Sequence, residues 1–135
     1  MPAPAILTTY VRTLADAMGL ADWKVDIRDE ACDEQYDAYV TIVPGAKWAL
    51  IELQPRFLEK SDDEQRHTLV HELMHLHFDE CHGVLKRNLE DDPMHRVIEN
   101  EHLNFMEHGV DAVAAAISKL LPEVPHDTRG AKDRT

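Results

Sequence analysis

The chain has 135 residues, enough for one domain with a real hydrophobic core and no need of disulfide staples. Its net charge of −12 repels nucleic-acid phosphates, which argues against a general DNA or RNA binder. No stretch approaches the roughly 20 apolar residues that span a bilayer, so no membrane partner is expected.

Met1 to Tyr10 lacks a charged segment ahead of an apolar core, so no export signal is expected and the expected compartment is cytoplasmic. Cys32 and Cys81 are then expected to be free thiols. The acidic patches Asp29–Glu34, Asp62–Glu64 and Glu90–Asp92 read as solvated surface.

Pro4 to Met18 reads as a helix. Ile6, Leu7, Val11 and Leu14 recur at helical spacing, and Gly19 is a stop signal. Trp23 to Ile27 alternates apolar and polar residues and reads as a strand. Tyr39 to Val43 and Trp48 to Leu53 read as two more, joined as a hairpin through Pro44-Gly45-Ala46-Lys47. Ser61-Asp62-Asp63-Glu64 has the form of a capping box. The helix it opens is expected to run through Phe78, to stop near Gly83, and to be buried by Leu69, Val70, Leu73, Met74, Leu76 and Phe78. Asp91-Asp92-Pro93 is expected to start a long helix, Met94 to Leu121, ended by Pro122. Strands followed by helices predict an α+β fold with helices on one face of a small three-stranded sheet. The expected domain spans 1–124, with a flexible polar tail over 125–135.

His71-Glu72-Leu73-Met74-His75 carries the chemistry. Residues four apart share a helix face, so His71 and His75 can bind one zinc ion at about 2.0–2.1 Å each. Glu72 sits where a general base is needed, to take a proton from the water that the ion acidifies. An open catalytic site of this kind has a third protein ligand. The last helix offers Glu99, Glu101, His102, Glu107, His108 and Asp111. Glu107 is favoured. Asp111 lies one turn on, where it can hold a ligand histidine by its second ring nitrogen. Glu107 also falls on the stripe Leu103, Val110, Ala114 and Ile117, expected to face the core, where an unpaired carboxylate is unfavourable. Glu99 and Glu101 remain alternatives. In a metzincin a glycine and a third histidine would stand where this chain has Phe78 and Cys81. His77 should point about 200° away from His75. One of His82, His95, His102 and His108, or Tyr36 or Tyr39, is left as a candidate to bind an oxyanion.

The plan of helix, strands, HExxH helix and helix resembles the minimal gluzincins of the SprT-like and ImmA/IrrE-like kind, found in bacteria and phages. The resemblance rests on Thr68 to His77 and on Glu107-His108-Gly109-Val110-Asp111. It implies a zincin-like fold and a zinc-dependent endopeptidase, with His71, His75 and Glu107 as ligands and Glu72 as base. It also implies a protein or peptide substrate. The chain is small for a deep specificity pocket, so an adaptor or partner protein is a further expectation. The asparagine that often precedes the gluzincin glutamate is Met106 here. In zincin folds the strand before the motif helix lies at the sheet edge and pairs with extended peptide, so Trp48 to Leu53 is expected there. The alternative reading is a non-catalytic zinc-binding module for regulation or interaction; a weaker third is a hydrolase of non-peptide amides.

Overall fold

A computed structural model describes residues 5–126. Pro4, expected at the start of the first helix, and residues 127–135 of the expected tail lie outside the described residues.

Helix α1, Ala5–Ala17, ends where Gly19 takes a φ of +78°. There the Leu20 N–H reaches the Ala15 carbonyl at 2.8 Å and the Gly19 N–H reaches that of Asp16 at 3.3 Å. This paired closure needs a left-handed residue, which glycine supplies without strain. Leu7, Tyr10, Val11 and Leu14 are buried, whereas Ile6 is exposed.

Strands β1 (Lys24–Ile27), β2 (Ala38–Val43) and β3 (Trp48–Leu53) form one mixed sheet in the order β1-β3-β2. β2 and β3 are antiparallel, with Val43 opposite Trp48, and the 44–47 loop closes the hairpin as expected. The Ala46 N–H meets the Val43 carbonyl at 3.3 Å, and Gly45 has a φ of +75°, the type II pattern that proline-glycine favours. β1 runs parallel to β3 along its other side, with Val25 opposite Ala49. The expected edge position of β3 is therefore wrong. It is the central strand, and β1 and β2 are the edges. Alternating polarity sets which face a residue takes, not which strands flank it.

Val25, Ala49 and Ile51 line one face and join a single core with α1, with Phe57 of the 3-10 turn Pro55–Glu59, and with the motif helix. That helix, α2, spans Asp62–Leu89. The Glu64 N–H donates to the Ser61 hydroxyl at 3.2 Å, and the hydroxyl donates to the Glu64 carboxylate at 3.0 Å, so the capping box closes through side chains. Gln65, buried, donates to the carbonyls of Phe57, Leu58 and Lys60 and ties the 3-10 turn to the helix. Arg66, also buried, donates to the Leu121 carbonyl at 3.0 Å.

α2 does not stop near Gly83. It continues to Leu89, because Val84 to Leu89 are tolerable helix formers, and the true break is the turn before Pro93. Nor is it buried throughout. Leu69, Val70, Leu73 and Leu76 are buried, but no residue from His77 to Leu89 is, and Phe78 is exposed. Helix α3, His95–Ile117, runs back antiparallel to α2 and ends in a 3-10 turn, Ser118–Leu120. The Asp92 carboxylate accepts the Met94 N–H at 2.8 Å, but Met94 itself is the cap residue and makes no side-chain cap bond, so the aspartate and Pro93 fall just ahead of the cap and first-turn places expected of them. Of the expected core stripe on α3, Val110 and Ala114 are buried but Leu103 is exposed. No helix among the described residues is long and apolar enough to cross a membrane.

Leu73→Ala is expected to destabilise the fold by about 2–5 kcal/mol, since it empties the fully buried face of α2. Ser61→Ala, at an exposed cap, should lower stability by only about 1 kcal/mol. Urea unfolding of both variants checks the ranking; equal losses would mean the core face of α2 is not where its stability resides.

Candidate metal centre

The stripe Leu69, Val70, Leu73 and Leu76 turns one side of α2 into the core. Four-residue spacing then puts His67, His71 and His75 together on another face, towards α3. α3 brings Glu107 and Asp111 alongside, one turn apart. Its antiparallel course matches Glu107 to His75 and His71, and Asp111 to His71 and His67.

The distances define the cluster. Nε2 of His71 lies 2.6 Å from Glu107 Oε1, and Nε2 of His75 lies 3.1 Å from Glu107 Oε2. The donor atoms of His71, His75 and Glu107 all fall within 4.8 Å of one another, the one such group among the described residues. Ligands held at 2.0–2.1 Å around a tetrahedral ion stand about 3.3 Å apart, so these separations bracket what zinc requires. Two imidazoles and one carboxylate are also a donor set suited to it. Nδ1 of His71 is 3.3 Å from Asp111 Oδ1. With an ion held at Nε2, that contact would take the proton of Nδ1.

Glu72 is mostly buried beside these groups. Burial, above all, pushes its pKa up to about 7, and the Glu107 charge adds to the rise. His71 and a hydrogen bond from the Val40 backbone pull the other way. Burial likewise lowers the pKa of His75, against the attraction of Glu107. Glu107 itself is half exposed, at 50%, because this part of α3 runs past the sheet. The expected burial of its stripe does not hold there.

Glu72, His75 and Glu107 open onto a cleft of about 840 Å³. One wall is β2, from Ala38 to Ile42, with Tyr36; the other is Phe78, Leu103 and Met106. The Gln54 N–H bonds to the Asp37 carbonyl, which sets the alternation along β2. Tyr39 and Thr41 bond towards β3, so Ala38, Val40 and Ile42 turn their backbone groups outward at the free edge. The edge beside the centre thus belongs to β2, a role that the alternating pattern of the sequence did not assign to it.

The remaining candidates lie elsewhere. Glu99 is 3.8 Å from His82, whose ring stacks on His102, and neither Glu99 nor Glu101 joins the three-residue group. His77 bonds to the Met18 carbonyl at 2.8 Å, away from the centre as its angle required. Cys81 is a free, exposed thiol and Cys32 a free, buried one. His95 bonds to the Asp92 carbonyl at the start of α3, and His108 is exposed. Tyr36 and Tyr39 pack 5.2 Å apart at the cleft.

Compared with known protein families, curated proteins and solved structures, the chain has no match.

The raised pKa of Glu72 has a consequence for the metal-free chain. Folded, Glu72 keeps its proton to about pH 7; unfolded, it releases it near 4.5. The fold is unpenalised below about pH 4.5 and loses stability as pH rises towards 7, by about 3 kcal/mol in all. Glu72→Gln, neutral throughout, is expected to exceed wild type in stability by about this amount at alkaline pH and to match it in acid. Urea unfolding in chelator across that range measures it; a constant difference would show that Glu72 is not desolvated.

Proposed function

We propose that this chain is a zinc-dependent endopeptidase on a zincin-like fold. The observation that carries the reading is the convergence of His71, His75 and Glu107 donors within 4.8 Å, with Glu72 beside them on the same cleft.

Zinc bound there would supply a Lewis acid that polarises a carbonyl and acidifies a water to near neutral pH. His71 and His75 would offer neutral Nε2 atoms to it, and Glu107 a carboxylate. Glu72 is next to the first ligand in sequence and lines the cleft. It accepts a proton from the attacking water and delivers it to the departing amine. Its residence in a poorly hydrated spot suits a group that must both take and return a proton.

The free edge of β2 favours an extended peptide as substrate. The Val40 N–H is engaged with Glu72, while the outward groups of Ala38 and Ile42 stay open to a strand laid in the cleft. Such pairing reads backbone more than side chain. Selectivity then falls to an adaptor or partner protein, in keeping with a shallow, open site.

The test is metal content and cleavage of a denatured protein by wild type, Glu72→Ala and Glu107→Ala. Wild type is expected to hold one zinc and cleave. Glu72→Ala should keep the zinc and lose at least about 100-fold in rate. Glu107→Ala should lose most of the zinc. Zinc bound with cleavage indifferent to Glu72 would make the chain a zinc-binding module. No zinc after reconstitution would overturn the proposal.

A further inference from the structure

The contacts between α2 and α3 do not stop at the three donors and Asp111. They alternate across the two helices in the order His75, Glu107, His71, Asp111, His67. Asp111 Oδ1 lies 3.3 Å from Nδ1 of His71 and 3.5 Å from Nε2 of His67. One oxygen has two lone pairs, enough for both N–H groups.

The accessibility of the two partners is unequal. The Asp111 side chain is 63% exposed, so a single contact to His71 leaves its carboxylate able to rotate into water. The His67 side chain is 40% exposed, but its Nε2 atom is shut off from solvent and has no hydrogen-bond partner among the described residues. A buried N–H left unpaired is costly, and the acceptor it faces is Asp111. A small closure of the 3.5 Å gap would give His67 its partner and Asp111 its second donor.

We propose that His67 is a positioning residue for the metal centre, holding the Asp111 carboxylate against Nδ1 of His71. The inference rests on the zinc reading above. Its consequence is a chain of restraint from His67 through Asp111 to the ring that presents Nε2. Outer partners of this kind fix the tautomer and orientation of a ligand histidine, and their loss weakens metal binding. His67 touches neither substrate nor metal and works only through Asp111.

Zinc alone, titrated in competition with a chromophoric chelator, tests this in the intact chain. Wild type, His67→Ala, His67→Gln, Asp111→Ala and the His67→Ala/Asp111→Ala pair are compared, with circular dichroism of each metal-free protein. Asp111→Ala is expected to weaken zinc binding by about 10–100-fold, and His67→Ala by a smaller factor, about 3–10-fold. His67→Gln keeps an N–H donor and should recover most of that loss. Beside Asp111→Ala, His67→Ala should add nothing, because the group it holds is gone. If His67→Ala binds zinc as tightly as wild type, or loses the same factor with and without Asp111, the proposal fails while the zinc reading stands. If wild type takes up no zinc, both fall together.

Discussion

Helix α2 must bury one side and present another, and the angle between the two sides is set by 3.6 residues per turn. Leu69, Val70, Leu73 and Leu76 are drawn out of water into the core of α1, the sheet and Phe57. Once they are inside, His67, His71 and His75 can only line a different face. The core does not touch the donors, yet it decides where they point. Gln65 and Arg66 lock the same helix end-on, to the 3-10 turn and to Leu121. Rotation of α2 about its axis would break those bonds and the core contacts together, so the face carrying the histidines is held with the precision of packing.

The electrostatics follow from that placement. Glu72 and His75 are crowded where water is scarce, and each resists its charged form. Burial raises the carboxyl pKa of Glu72 and lowers that of the His75 imidazole. Both shifts favour the uncharged form, so near pH 7 His75 is mostly neutral and Glu72 is poised between its two forms, and the half-exposed Glu107 lies between the two histidines. A cation would relieve the crowding of lone pairs. This is the electrostatic form of the fit already visible in the distances.

Much of this architecture could be read from the residues. Gly19, Pro44-Gly45 and Ser61 to Glu64 act locally, so their turns and caps follow from neighbours in sequence. Four-residue spacing is also local, and it correctly foresaw the shared face of His71 and His75 and the outward course of His77. What could not be read depends on distant partners. The parallel pairing of β1 with β3 moves β3 to the centre and leaves β2 as the wall of the cleft, and no pattern within a strand announces its flanks. The run of α2 beyond Gly83 is similar: a glycine ends a helix only where the chain then turns, and here it does not. Leu103 and Phe78 looked like core residues because their spacing is helical; they are exposed because they line the open cleft instead of packing into the core. The pairing of Glu107 with the histidines joins positions 36 and 32 apart, and the choice between it and Glu99 or Glu101 came from the register of two helices.

The distal part of the helix pair has a thermodynamic character of its own. From His77 to Gly109 no side chain is buried, whereas Leu76 and Val110, at the two ends of that stretch, are. Its backbone hydrogen bonds are therefore sustained mainly by helix propensity and by contacts between α2 and α3, with the sheet facing it only across the open cleft. Local opening of such a segment needs far less free energy than global unfolding, and amide hydrogens there exchange first. Glu107 stands on the solvated side of this boundary, one turn from Val110, and His75 on the other, next to Leu76. The centre straddles the line between the part of the helix pair that the core holds and the part that it does not, so any ligand shared by the two histidines and Glu107 would couple the opening of the helix pair to its own occupancy.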